Sequence, residues 1–346
     1  MSDATLTIDL NAIISNWRAL DGLSASTVET SAVVKANAYG LGIDRVAPAL
    51  SSAGVKTFFV ALASEGVALR EALGPDVPIY VFSGYMKGSR EALETAQLIP
   101  LLNSPEQANR FLAELPGHPC GLQLDSGMNR LGIEPVDLPA LLFQLPQLNP
   151  RLVISHLACA DTPENLHNAA QLASFVTLTA TLPIKKSLAA TGGILMGDSF
   201  HFDITRPGVG LYGGLPFANA SPVVSLDVPV IQTRDVLPAE IVGYAGAYTA
   251  SKITKVATIS AGYADGLIRA LNGAQVFAGS TPCPVIGRVS MDLITVDVTH
   301  LDEVPETVNV LGPEQTIDQL AAHAGTIGYE VLTSLGSRYN RRYIGA

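Results

Sequence analysis

Short, nearly continuous apolar runs recur along the first two thirds of the chain. They lie at Ala32–Val34, Phe58–Ala61, Ile79–Phe82, Ile99–Leu102, Gly121–Leu124, Leu152–Ser155 and Leu188–Ala190, and a last one runs into Gly210-Leu211-Tyr212. Between them sit stretches with helical spacing of apolar positions, such as Ser64–Leu73, Pro105–Leu115 and Pro163–Thr181. A strand that is apolar along its whole length is covered on both faces, as in parallel sheets. Eight strand–helix alternations of this kind predict an α/β fold closed into a (β/α)8 TIM barrel. Ahead of them, Thr5 to Leu10 reads as a short strand, with Asp9 or Asn11 capping a helix that carries Trp17 and Leu20.

After about Pro222 the pattern changes. Val223–Val230, Ala247–Ser260, Gln275–Ala278, Val285–Val289, Leu293–Val298 and Val308–Leu311 are short, β-branched and separated by Gly, Pro, Asn and Asp. Helical spacing returns only at Ile317–Ala324, so a mainly-β second domain is expected. Pro216, Asn219, Ser221 and Pro222 supply a linker, which divides the chain into 1–222 and 223–346.

Composition adds little to the fold but narrows function. With 346 residues, 48% of them apolar and 15% charged, the chain fills a large core with ease. A net charge of −10 argues against general nucleic-acid binding, which wants a basic face. Cys120, Cys159 and Cys283 show neither metal spacing nor a disulfide framework, so no metal is expected. Met1-Ser2-Asp3-Ala4-Thr5 carries an acid and no signal-peptide core, and no stretch reaches the length of a membrane span. The expectation is a cytoplasmic enzyme. The glycines between Gly84 and Gly88 fit no phosphate-loop or dinucleotide pattern.

The candidate chemistry begins at Lys35. A β-branched run ending on a lysine puts an amine at the C-terminal tip of a barrel strand, where such folds keep their active sites. In partly apolar surroundings that amine loses its proton readily and can condense with an aldehyde. From Val33-Val34-Lys35 alone, a lysine reaching out to water is the simpler reading. The full run Val33-Val34-Lys35-Ala36-Asn37-Ala38-Tyr39-Gly40-Leu41-Gly42 reverses that, because it resembles the signature around the pyridoxal-phosphate lysine of alanine racemases. The resemblance continues in order through Asp125-Ser126-Gly127-Met128-Asn129-Arg130-Leu131-Gly132, Ser155 to Asp161, Arg206-Pro207-Gly208-Val209-Gly210-Leu211-Tyr212-Gly213, Gly262-Tyr263-Ala264-Asp265-Gly266 and Gly287-Arg288-Val289-Ser290-Met291-Asp292. Any one of these stretches is a weak match; six in sequence are specific.

The resemblance implies roles. Lys35 would carry pyridoxal 5'-phosphate and act as one of two racemisation bases. Inversion needs a second base on the opposite face, which would be Tyr263 from the neighbouring subunit of a homodimer. A phenol ordinarily ionises near 10 and needs help to act as a base, which the family supplies through His156 and Arg206. Arg206 would face the pyridine nitrogen and donate a hydrogen bond without surrendering a proton, which curbs side reactions such as transamination. His156 would pack on the cofactor ring. Tyr39, Thr191 and the amides of Gly208 and Val209 would hold the phosphate, and Arg130 with the Met291 amide would hold the substrate carboxylate. Asp161, Arg288 and Asp292 would line the entrance.

Three departures qualify the resemblance. Many members place a carbamylated lysine seven residues before the carboxylate-binding arginine; Gln123 stands there, so no carbamylated lysine is expected. Ala190 replaces the usual asparagine before Thr191. In the tail, Ser337 takes the place of a phosphate-side tyrosine, and Tyr339 lies two residues on, which leaves the tail's role open. Two rival functions share most of these residues: a racemase of broader range, serine included, and a non-catalytic pyridoxal-phosphate carrier. Carriers of that kind lack the second domain. A decarboxylase would want an acid where this chain has Arg206.

Overall fold

The computed structural model describes residues 4–271 and 273–346; Met1, Ser2 and Asp3, part of the segment read above for a leader, lie outside these. Two compact units result. One comprises residues 13–212 with 216–220. The other comprises 213–215 and 221–346 together with the described N-terminal residues up to Ala12.

The first unit is the expected barrel. Seven parallel strands follow one another in sheet order, namely Ala32–Val33, Phe58–Val60, Ile79–Val81, Ile99–Leu102, Cys120–Gln123, Pro150–Ile154 and Lys185–Ser187. The eighth, Ile204–Thr205, is short and closes the ring. It pairs in parallel with Glu29–Thr30, and Ser31 N donates to Thr205 O and Val33 N to Pro207 O. On its other side Asp203 N donates to Lys186 O and Arg206 N to Ala189 O. Phe58, Phe59, Val60, Ile79, Val81, Leu101 and Leu122 are fully buried, which is why these strands read as unbroken apolar runs. The helices Pro105–Glu114 and Leu166–Thr179 start where their caps dictate: Ser104 Oγ accepts from Gln107 N, and Asn165 Oδ1 from His167 N.

Two strand expectations shift. The run Leu188–Ala190 lies just past its strand, which begins on the polar Lys185 and Lys186; Ala190 keeps only a bridge to Arg206. Gly210-Leu211-Tyr212 belongs to the 3-10 turn Val209–Tyr212, not to the last strand. Leu188, Ala189, Leu211 and Tyr212 are buried, and burial alone makes a turn look like a strand in an apolar pattern.

The second unit is built on one long strand, Val224–Val236. It pairs with Thr307–Leu311 on one edge and Thr254–Ile259 on the other. The intervening strands Gln275–Ala278, Thr281–Ile286 and Ile294–Asp297 complete a closed, mainly antiparallel sheet. The first strand of the chain, Thr5–Asp9, lies in this sheet. It runs antiparallel to Val224–Val236 and parallel to the last strand, Asn340–Ile344. Asp9 Oδ1 then caps the following helix by accepting from Ala12 N at 3.0 Å. The chain thus contributes its first strand to the C-terminal unit before it enters the barrel expected over 1–222. The residue types alternate, Thr5-Leu6-Thr7-Ile8-Asp9, which fits an antiparallel sheet better than a barrel strand, although Thr7 is buried along with Leu6 and Ile8. No helix among the described residues is long and apolar enough to cross a membrane.

Candidate active site

Lys35 follows the first barrel strand, and the backbone after it is unusual. Ala36, Asn37, Ala38 and Tyr39 all have φ between 52° and 56°, and Gly40 follows at 85°. This is one turn of left-handed helix made from residues with side chains, each costing roughly 1–2 kcal/mol against the right-handed form. Its hydrogen bonds hold it: Ala38 N donates to Val34 O, Gly40 N to Ala36 O, and Ile43 N to Asn37 Oδ1. Glu65 secures it from outside. Its Oε1 accepts from Ala36 N at 2.7 Å, while Oε2 accepts from Ala61 N at 2.8 Å and Leu62 N at 3.2 Å. Strain of this kind gathers at functional positions, where the surroundings over-determine it.

The Lys35 amine is half-buried, and burial pushes its pKa down. The nearby Arg130 charge pushes the same way, and Glu65 opposes them. Arg206 lies 2% exposed in the barrel interior. It donates to Ser155 O at 2.7 Å, to Leu188 O at 3.3 Å and, at short range, to Ser187 Oγ, with the Phe59 ring 6.0 Å from its guanidinium carbon. Burial lowers it to about 9, which leaves it cationic at neutral pH. No carboxylate pairs with it among the described residues. His156 is held near 3 by burial first and then by Arg206, Arg130 and Lys35, so its ring is neutral. The Arg206 hydrogen bonds go to Ser187 and main-chain carbonyls, and the His156 ring receives none of them. Three cationic groups and a neutral imidazole make this end of the barrel a site for anions.

Tyr39, Thr191, Gly208 and Val209 come together beside it, all buried. Thr191 Oγ1 accepts from Gly208 N at 3.1 Å and Gly210 N at 3.2 Å, so its own hydrogen is free to point at a ligand. The Gly208 amide is thereby engaged by protein, and what this glycine supplies is room: a Cβ there would meet Tyr39 Oη at 2.4 Å. Tyr39 stacks on Tyr212 with ring centres 4.5 Å apart, and Tyr212 Oη is anchored on Val33 O. Gly192 serves packing, since a Cβ there would meet Ala160 O at 2.7 Å. Hydroxyls, a main-chain turn and a clustered positive charge suit a phosphate monoester on an aldehyde-bearing ring.

Arg130 is exposed at the end of a loop that Asp125 organises. Asp125 Oδ1 accepts from Gly127 N, Met128 N and Asn129 N, and Oδ2 from Asn129 N. Gln123 donates to Leu131 O at 3.2 Å, so it braces this loop through the main chain next to Arg130. Glu65 and Asp125 are the residues that sequence reasoning passed over. Glu65 looks like any first-turn helix glutamate, although Asp125 opens one of the quoted motifs.

Tyr263 and Met291 belong to the C-terminal unit and are 42% and 53% exposed. Tyr263 starts a 3-10 turn, Tyr263–Asp265. Tyr263 N donates to Ser290 O and Ala264 N to Met291 O, so the turn and the 290–292 loop are joined through their backbones. In the tail, Ser337 is exposed and Tyr339 is buried within the unit.

A barrel with an amine at a strained strand end, backed by a buried arginine and followed by a β-rich unit, defines a two-domain enzyme class. The chain belongs to the alanine racemase family. Residues 8–216 match the alanine racemase N-terminal domain and residues 223–343 the alanine racemase C-terminal domain. An alanine racemase of Dinoroseobacter shibae is 57% identical over 347 residues, covering 100% of this chain and 99% of its own. One from Rhodospirillum rubrum is 43% identical over 362 residues, covering 99% and 96%. Among solved structures, alanine racemase from Bartonella henselae, with covalently bound pyridoxal phosphate, superposes with a TM-score of 0.95 at 38% identity, covering 99% of this chain and 100% of that one. The biosynthetic alanine racemase from Pseudomonas aeruginosa gives 0.93 at 34%, covering 100% of each.

Proposed function

We propose that this protein is a pyridoxal-phosphate-dependent alanine racemase that interconverts L- and D-alanine. The observation that carries this reading is the Lys35 turn itself: an amine with lowered basicity on a strained strand end, in the same barrel end as a buried arginine that no carboxylate among the described residues neutralises. Bound there, pyridoxal phosphate supplies the electron sink that makes a substrate's α-proton acidic. The chain's own residues do the rest. Lys35 holds the cofactor and moves a proton at the α-carbon on one face. The Thr191 and Tyr39 hydroxyls, with the Gly208–Val209 turn, bind the phosphate. Arg206 would offer a hydrogen bond to the ring nitrogen without giving it a proton, and the neutral His156 would pack on the ring. Arg130 binds the substrate carboxylate.

The second base is Tyr263 and the second carboxylate donor is the Met291 amide, both supplied by the partner subunit of a head-to-tail homodimer. The 1–222 region then binds cofactor, and 223–346 completes the neighbour's site. The enzyme acts in the cytoplasm, supplying D-alanine for peptidoglycan or consuming it in catabolism. Proton NMR of L-alanine with the cofactor-loaded protein in heavy water tests this. Deuterium at the α-carbon together with D-alanine is the expected result. Exchange without D-alanine would remove the second base. No exchange with alanine but exchange with serine would shift the substrate, and none with any amino acid would leave a carrier.

A further inference from the structure

The tail residue Arg338 bridges two aspartates in the C-terminal unit. Its Nε lies 3.1 Å from Asp265 Oδ1, and its Nη1 lies 2.7 Å from Asp292 Oδ1. Asp265 ends the Tyr263 turn and is 3% exposed; Asp292 directly follows Met291 and is exposed. Asp265 has other anchors, since its Oδ2 accepts from Gly262 N at 2.9 Å and its carbonyl accepts from Gly336 N at 3.0 Å. For Asp292, Arg338 is the side-chain anchor. The segment carrying Arg338 is itself braced, because Arg341 donates to Leu335 O and Gly336 O.

We propose that Arg338 is a positioning residue that ties the Tyr263 turn to the Met291–Asp292 loop and presents the phenol and the Met291 amide as one preset pair. The proposal rests on the reading of Tyr263 as a base and Met291 as a carboxylate donor. The two backbone bonds from Tyr263 N and Ala264 N form one side of a closed figure, and the Asp265–Arg338–Asp292 bridge forms the other. With only the backbone side, the loop can hinge. A planar guanidinium spans two carboxylates at fixed separation, which an ammonium cannot do. The bridge is half exposed, so it contributes little to folding stability. Its effect falls on geometry, where displacement of about 1 Å can cost roughly a hundredfold in rate.

The test compares wild type, Arg338→Ala and Arg338→Lys as holoenzymes, with Tyr263→Phe as a reference. Hydrogen–deuterium exchange at residues 290–293 reads the bridge directly. We expect exchange about tenfold faster in Arg338→Ala, partial recovery in Arg338→Lys, and a Tm within about 2 °C of wild type. Unchanged protection at 290–293 in Arg338→Ala overturns the proposal whatever happens to activity. Solvent exchange of the α-proton, followed from each alanine enantiomer separately, reads the consequence. In Arg338→Ala it should fall about 10- to 100-fold from the same enantiomer that Tyr263→Phe affects. Loss from neither enantiomer overturns the positioning role, and equal loss from both, which displacement of the Met291 amide alone would give, overturns the claim that the phenol and the amide are held as a pair. If Tyr263→Phe itself shows no such asymmetry, the base assignment fails, and the amide exchange data still decide whether the bridge holds the loop.

Discussion

The two regions that carry the chemistry are built on opposite principles. At the barrel end, Lys35 sits on a strained turn held by Glu65, and Arg206 is buried and held by hydrogen bonds from Nη1 to Ser187 and from Nη2 to Ser155 O and Leu188 O. In the C-terminal unit, Tyr263 and Met291 are exposed on unstrained loops, fastened by two backbone bonds and an ion-pair bridge open to water. The contrast teaches where each part finds its rigidity. The barrel groups are fixed by burial, so changing them disturbs cofactor binding and folding together. The loop groups are fixed locally, so they are separable from folding and alter only the proton transfer they serve.

The largest expected difference lies between Lys35→Ala and Tyr263→Phe. Loss of Lys35 removes both the cofactor's attachment and a base, so racemisation and α-proton exchange from both enantiomers should vanish. Loss of the Tyr263 phenol should leave cofactor binding and Tm intact. L- and D-alanine have equal free energies, so net racemisation must slow equally in both directions. The informative quantity is solvent exchange from each enantiomer. Exchange by Lys35 should persist from one, while exchange from the other falls by roughly 10²–10⁴, the usual contribution of a general base. A Lys35→Ala protein that still racemises, or a Tyr263→Phe protein that loses both exchanges alike, would erase the distinction.

A smaller effect probes the strained turn. Glu65→Ala leaves the amides of Ala36, Ala61 and Leu62 without a charged acceptor, which should cost about 2 kcal/mol. Lys35 also loses a negative neighbour that opposes the fall in its basicity, so its pKa should drop further. Urea unfolding and the rate at which the apoprotein's lysine is methylated near neutral pH measure the two effects. Unchanged stability together with an unchanged methylation rate would show that Glu65 merely decorates the turn.

How much of this was legible in the sequence depended on whether the signal was local. The barrel was legible because strands covered on both faces are apolar throughout, and the quoted motifs carry Lys35, Arg130, His156 and Arg206, which all fall in one unit. The left-handed turn was not, because Ala36-Asn37-Ala38-Tyr39 contains no glycine to announce positive φ. The partner of Thr5–Asp9 was not either, since the strand pairs with segments more than two hundred residues away. The Arg338 bridge was invisible because it joins three points of the chain that are distant in sequence, at Asp265, Asp292 and Arg338. Where Gln123 would point was not legible either: its amide donates to the Leu131 carbonyl, a main-chain partner that no side-chain pattern announces.

The smallest predicted effect concerns His156 and pH. Burial and three cationic neighbours lower its folded pKa from 6.5 to about 3. In the unfolded chain it takes up a proton as pH falls through 6.5, whereas in the folded protein it refuses that proton until about 3. The unfolded state therefore binds more protons across this window, and stability must fall as pH drops, with a slope approaching about 1.4 kcal/mol per pH unit. Carboxylates add their own slopes at the acid end, so the contribution of His156 is read as a difference. His156→Gln keeps a polar side chain of similar reach but cannot take up the proton, and its stability should decline less than that of wild type between pH 6.5 and 5. Parallel declines in urea midpoint would mean that the imidazole is charged in the folded protein. The His156 ring would then be more open to water than the buried Arg206 beside it implies, and the barrel end would resemble the exposed Tyr263 turn more than it differs from it.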